Sequence, residues 1–262
     1  MEDSATTGRK RVREDHEEEP DVGLPLENQL TFSDTLIALR IMHAQFPKME
    51  KVSVQPFVLR SQVYSSVNDR TQVDRELESL RKDNVIRLFK LNTGQDDHAI
   101  MFIEDYLNQV ESAMKRIKAK GQDDIDVFEW FRSHVLPSKL DASIEHEELC
   151  LLLSHGGNVK DDHISLLINA GLLTRQLLDS NSYWFAIPNI GFILKGLSQG
   201  RKELISLLNR RKYKEMLLAL LEKKRLRLSP LDIRFHLRDL IGSGYLKTVH
   251  TPAGLLVKVV KE

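Results

Sequence analysis

Cys150 is the only cysteine in 262 residues. That excludes an internal disulfide and a cysteine-rich zinc site, and it fits a reducing compartment, cytosol or nucleus. No apolar run approaches the roughly 20 residues a bilayer span needs, and the charged N-terminus lacks the apolar stretch of a signal peptide, so a soluble, non-secreted protein without membrane contact is expected. Only 13 glycines occur. None builds a G-x-G-x-x-G phosphate loop, no Asp-Phe-Gly triplet exists, and no HRD-type catalytic loop can be written, so nothing here cradles ATP or holds its magnesium. The nine histidines form no H-x-x-x-H pair and no Cys-His set with ligand spacing, which leaves no cofactor or metal to expect. Net charge is absent too. Thirty-eight Lys and Arg balance thirty-eight Asp and Glu, so total charge cannot decide for or against a nucleic-acid partner.

What is present is a repeat. Residues 1–28 lack periodic apolar positions and read as a disordered tail. Within it Arg9, Lys10, Arg11 and Arg13 form a basic cluster of the kind that serves nuclear import, followed at once by Glu14, Asp15, Glu17, Glu18, Glu19 and Asp21. Beyond the tail one pattern occurs three times, at a period of roughly 70 to 90 residues, right for small domains. An amphipathic helix ends in a polar break and a hairpin follows. Leu77 and Leu80 lead to Val85 and Ile86; Ile164 and Leu167 lead through Asn169, Ala170 and Gly171 to Leu172; Leu237 and Leu240 lead through Gly242, Ser243 and Gly244 to Tyr245 and Leu246. Glycine at these breaks suits the left-handed conformation that ends a helix. Thr71 with Asp74, and Ser229 with Pro230 and Asp232, read as helix starts.

Upstream of the hairpins stand further helical stretches: 32–46 and 55–67, 125–135 and 144–153, 192–208 and 213–221. A long helix from Glu104 to about Lys118 links the first two copies. Helix, helix, helix, hairpin is the order of a winged helix. The expected fold is mainly α with small β-hairpins, an α+β arrangement of three tandem winged-helix domains: 29–120 including the linker helix, 121–190, and 191–262.

From about Pro56 onward the chain resembles the serine/threonine-protein kinase 19 family. The resemblance rests on Leu59-Arg60-Ser61-Gln62-Val63-Tyr64-Ser65, Asp69-Arg70-Thr71, Glu104-Asp105-Tyr106, Asn169-Ala170-Gly171, Trp184 to Pro188, Gly200-Arg201, Lys212-Tyr213-Lys214-Glu215 and Asp239-Leu240-Ile241-Gly242. It implies a nuclear, non-catalytic protein of tandem winged helices that binds double-stranded DNA. It further implies action in transcription-coupled nucleotide excision repair, where repair proteins are bridged around stalled RNA polymerase II. Asn209 stands where the family pattern carries a basic residue, with Arg210 beside it, so that contact is shifted by one position or lost. A homodimer is left open.

Local charge supplies the signal that total charge withholds. Between Lys195 and Arg227 eleven basic residues face three acids, a net +8, and the remainder of the chain carries −8. Such asymmetry is the electrostatic footprint of a phosphate-binding face. Its alternative reading is a solvated basic helix pair or a surface for an acidic protein partner. Of the three third helices, the second opens on Asp161 and Asp162 and suits protein contact, and the first mixes Arg70, Arg75 and Arg81 with Asp74, Glu76 and Glu78. The third offers Arg234 and Arg238 one turn apart. The expected DNA-binding residues are therefore Lys195, Arg201, Lys202, Arg210, Arg211, Lys212, Lys214, Lys224 and Arg225, with Arg234 and Arg238 as groove readers. Cys150 is read as an inert thiol with no base beside it, and Trp130 and Trp184 as core.

Overall fold

The computed structural model describes residues 33–49, 53–94, 97–122 and 124–260, so the tail and its cluster Arg9, Lys10, Arg11 and Arg13 lie outside the described residues. In the first repeat α1 (Asp34–Ala44) starts at Ser33, whose Oγ accepts the amide of Leu36. A two-residue strand, β1 (Val58–Leu59), runs directly into α2 (Arg60–Tyr64); α3 (Arg70–Lys82) and the hairpin β2 (Ile86–Lys90) and β3 (His98–Phe102) follow. Helix α4 (Ile103–Lys118) then leads to the second repeat. That repeat comprises α5 (Asp126–Trp130), a π-helical turn (Phe131–Val135), α6 (Leu136–Ser138), β4 (Ser143–Glu145), α7 (His146–Ser154), α8 (Asp161–Ala170), β5 (Leu173–Arg175) and β6 (Ser182–Phe185). The third comprises α9 (Gly191–Asn209), β7 (Glu215–Leu217), α10 (Leu218–Leu221), α11 (Ile233–Gly242), β8 (Leu246–Thr251) and β9 (Gly254–Val259).

Each hairpin is one strand short of its sheet. The sheets are three-stranded and antiparallel, in the orders β1-β3-β2, β4-β6-β5 and β7-β9-β8. The stretches 55–67, 144–153 and 213–221, expected as helices, each begin with a strand of two or three residues that turns straight into a short helix. So short a strand cannot display an alternating pattern, and its apolar residue merges into the helical period behind it. The caps also differ from expectation. Asp69, not Thr71, starts α3, its carboxylate accepting the amides of Thr71 and Gln72; Asp232 starts α11 by accepting the amide of Phe235. Gly171 ends α8 in the left-handed region as expected, whereas α11 closes on right-handed Ser243 and the left-handed residue is Gly244.

The repeats share their cores. On β2 and β3 alternate residues face opposite sides. Ile86 and Ile100 pack into the first repeat with Leu39, Val63, Val73 and Leu77, while Phe89, Ala99 and Met101 join a larger core with Tyr106, Phe128, Phe131, Phe185 and, from the third repeat, Phe235. Helix α4 is a packed element, not a free connector. It buries Tyr106, Gln109, Val110, Ala113 and Ile117, and Gln109 donates to the carbonyls of Ser53 and Pro188. Arg87, on the face of β2 that meets the second repeat, is buried with its guanidinium over the Phe185 ring, donating to the Leu136 carbonyl.

Helix α11 closes the arrangement by packing on α2. The backbones approach so nearly that a Cβ at Gly242 would overlap the Ser61 carbonyl. Ser61 donates to Asp239 at 2.6 Å, Gln62 to the Phe235 carbonyl at 3.0 Å, and Arg70 to the Gly242 carbonyl at 2.8 Å.

Candidate nucleic-acid interface

Helix α9 is the spine of the basic segment. It buries Ile193, Leu197, Leu204 and Leu208 on one face, with Gly196 and Gly200 admitting Pro230 and His236 against its backbone. On the opposite face Phe192, Lys195, Lys202, Ser206 and Asn209 are exposed, a stripe about 25 Å long at 1.5 Å per residue. The chain then turns tightly, with Arg211 N bonded to the Leu208 carbonyl and Lys214 N to the Arg211 carbonyl, and enters β7 with Lys214 at φ 53.

The three acids of the segment are all engaged, and this sharpens its charge. Glu203 accepts the amides of Arg227 and Leu228, pinning the loop 223–228 against α9. Glu215 pairs with Lys258, and Glu222 with Arg234. Lys195, Lys202, Arg210, Arg211, Lys212, Lys214, Lys223, Lys224, Arg225 and Arg227 are all exposed. Two open clefts flank Arg211. One, of about 830 Å³, is lined by Lys202, Ser206, Arg210, Arg211 and Arg227; the other, of about 410 Å³, by Arg211, Lys223 and Lys224 over a floor of Met216, Leu217 and Leu220. Lys223 and Arg227 belong to the segment without being among the expected contacts. Their place on the cleft rims follows from the Glu203 pin, which joins residues 24 apart in sequence.

Three of the expected contacts have partners within the chain. Arg201 is only 16% exposed and holds Asp239 through Nε and one terminal nitrogen at 2.6 and 2.9 Å, and Asp97 at 2.6 and 3.2 Å. Although burial works against the charged guanidinium, the hydrogen bonds to Asp239 and Asp97 outweigh it and hold its pKa above the usual value. Arg201 is a tie between the first and third repeats, engaged by two carboxylates, where the sequence reading expected a phosphate contact. Arg234 lies beside Glu222, and Arg238 donates to Gln45 at 2.6 Å. The helix that carries them buries Ile233, Phe235, His236, Leu237, Asp239 and Leu240, which leaves a narrow outer stripe of Arg234, Arg238 and Ile241.

The remaining candidates are distributed otherwise. Cys150 does have a base within reach, since His146 one turn earlier places Nε2 at 3.6 Å from Sγ, and His146 Nδ1 meets the Tyr183 hydroxyl. Burial and then the charge of Asp161 nevertheless push the thiol up, which keeps it protonated and inert. His236 Nε2 bonds Ser229 Oγ, and burial followed by the nearby Arg201 charge lowers its pKa to about 4. Trp130 packs edge-on against His163, and Trp184 lies under Lys90. Among the described residues no group of three or more His, Cys, Asp or Glu is placed to hold a metal, and no helix is long and apolar enough to cross a membrane.

A family described as inactive serine-threonine protein kinase 19 matches residues 23–259. The chain belongs to it. Among its relatives are proteins named winged helix repair factor 1: that of Homo sapiens is 34% identical, across 79% of this chain and 78% of the relative. That of Mus musculus is 33% identical over the same shares, and that of Dictyostelium discoideum 29% identical across 95% of this chain and 70% of its own. The description of the family as inactive agrees with the missing phosphate loop and magnesium aspartate, and the relatives' name agrees with a helical fold carrying small antiparallel sheets.

Proposed function

We propose that this family member is a non-catalytic, nuclear DNA-binding protein of three tandem winged helices, acting in transcription-coupled nucleotide excision repair. The observation that carries this reading is the face built by α9, the 210–214 turn and the 223–228 loop, where ten cations are exposed while the three intervening acids are engaged elsewhere. Cations spaced along such a face suit the phosphates of double-stranded DNA, which position a protein without reading sequence. The third winged helix grips the backbone with its first helix and the neighbouring loops, and sequence preference is weak. Fluorescence anisotropy with a short duplex at several salt concentrations tests this. Log affinity falls with log salt at roughly −0.9 per phosphate contact, and neutralising Lys195, Arg210, Arg211 or Lys224 singly reduces the slope by about one. A folded quadruple alanine variant that binds as tightly as wild type sinks the DNA reading.

A second reading applies to a different part of the chain. Residues 121–190 carry eleven acids against four bases, and the tip of the β5–β6 hairpin presents Leu177 and Leu178 at 103% exposure each. The turn is fastened by Asp179, which accepts the Asn181 amide and pairs with the Ser182 hydroxyl. An acidic module with two leucines held in solvent repels phosphates and suits a protein partner. It is the surface we assign to repair proteins and the RNA polymerase II complex, so the DNA-binding and scaffold readings occupy separate repeats.

A further inference from the structure

Tyr213 stands in the middle of the cationic turn between α9 and β7, within the run Arg210, Arg211, Lys212, Tyr213, Lys214. It is 63% exposed. Three of the other tyrosines are used differently: Tyr64 donates to Asp74, Tyr106 to the Ala186 carbonyl, and Tyr183 meets His146. The Lys212 ammonium lies 5.3 Å from the Tyr213 ring centroid. The turn itself is held at both ends, since Arg211 N bonds the Leu208 carbonyl, Lys214 N bonds the Arg211 carbonyl, and the Lys214 carbonyl accepts the amide of Val259 on β9. The ring is therefore presented on a fixed backbone, with a cation against it and other cations on either side in sequence.

Phosphate contact gives no reason for an aromatic ring at this place. A ring among cations is what binds a nucleobase, because the cations track the backbone while the π-face stacks. In uninterrupted duplex each base is covered by its neighbours, and a ring can reach a π-face only after a stack is broken. An unpaired base beside a duplex offers its face freely. We infer that Tyr213 is a base-stacking residue and that the preferred ligand of the basic face is duplex DNA bordering unpaired bases. This rests on the DNA-binding reading above and specifies its ligand.

The test uses the full chain and three labelled DNAs of equal length: a blunt duplex, a duplex with a single-stranded overhang, and a duplex with a central unpaired bubble. Wild type binds the overhang or the bubble about tenfold more tightly than the blunt duplex, within the range for one base stacked on one aromatic side chain. Tyr213→Ala loses that difference while keeping the blunt-duplex affinity and its salt slope; Tyr213→Phe and Tyr213→Trp retain it. A 2-aminopurine at the unpaired position is quenched on binding wild type and not on binding Tyr213→Ala. Equal binding of all three DNAs by wild type, or an equal loss on all three in Tyr213→Ala, overturns the stacking role and leaves the DNA-binding reading standing. Failure of wild type to bind any of the three overturns both.

Discussion

In Arg201→Ala, two consequences of one arginine are set against each other. If Arg201 belongs with the phosphate contacts, its loss removes one unit of salt dependence and leaves folding alone. The geometry dictates the reverse. The guanidinium is clamped between Asp239, whose side chain is fully buried, and Asp97, whose side chain is 19% exposed, with four hydrogen bonds of 2.6 to 3.2 Å. Removing one partner of a buried pair costs about 3 to 5 kcal/mol, chiefly because the other charge is left without compensation. Asp97 can relax toward water and Asp239 cannot, so the lower end, about 3 kcal/mol, is expected. For a chain of this size that corresponds to a fall in Tm of about 6 to 12 °C. Arg201→Lys recovers only part of the loss, because a single ammonium cannot serve two carboxylates with a fork. The double variant Arg201→Leu with Asp239→Leu recovers most of it, since the buried charge is then gone.

Thermal unfolding followed by circular dichroism, with duplex anisotropy on the same samples, measures both consequences. An Arg201→Ala protein that melts with wild type while its salt slope falls by about one refutes the structural assignment and restores Arg201 to the DNA face. The same tie sets an acid limit. Burial opposes ionisation of Asp97, yet the Arg201 and Thr93 hydrogen bonds outweigh it and hold its carboxyl below the usual range. A carboxylate depressed in the folded state stabilises above its unfolded value, near about 4, and loses that contribution as pH falls through the folded value.

Further outcomes follow from single sites. Gly242→Ala drives a methyl into the Ser61 carbonyl and is expected to cost about 2 kcal/mol or more in urea unfolding, with Gly244→Ala nearer the cost of a strained turn. His236 is held neutral with a pKa near 4, so the unfolded chain takes up a proton that the folded one refuses. Stability therefore declines as pH drops from about 6.5 toward 4, by about 3 kcal/mol at most, and His236→Gln flattens that stretch of a pH-stability curve. Arg87 leaves Nε and one terminal nitrogen without partners in an apolar site, so Arg87→Met is expected to raise Tm or leave it unchanged. Purified protein incubated with labelled ATP transfers no phosphate above background; transfer that disappears on mutating a residue of this chain would count against the non-catalytic reading.

The third helices and hairpins were legible because their signals are local. Leu237 and Leu240, the breaks at Gly171 and Gly244, and the strand from Leu255 to Val260 report their own conformation. The short strands β1, β4 and β7 were not legible, since their pairing partners lie about 40 residues away and two or three residues carry no period. Arg201 and Lys202 are neighbours of like charge in the sequence, and one is a buried tie while the other lines a cleft. What separates them is a 100° step around α9 and the arrival of Asp97 and Asp239 from other elements. The burial of Asp239 itself depends on Ser61, 178 positions earlier, a pairing no local pattern announces.

The packing of α11 on α2 bears on how the three repeats are held together. In a winged helix whose third helix reads a groove, that helix must keep one polar face in solvent, and its apolar face alone holds it to the domain. Here α11 also presents Phe235, Asp239 and Gly242 to α2 of the first repeat, so the third repeat cannot turn independently without breaking the Ser61, Gln62, Arg70 and Arg201 contacts together. A rigid connection of this kind fixes the distance between the basic face at one end of the sequence and the acidic, leucine-tipped second repeat, which shares its core with the first. On the function proposed above, two surfaces of opposite charge held at a fixed spacing engage DNA and a protein at once, with no ordering of one against the other on binding. The zero net charge of the chain conceals a basic segment of net +8 between Lys195 and Arg227 and an acidic one of net −7 over residues 121–190.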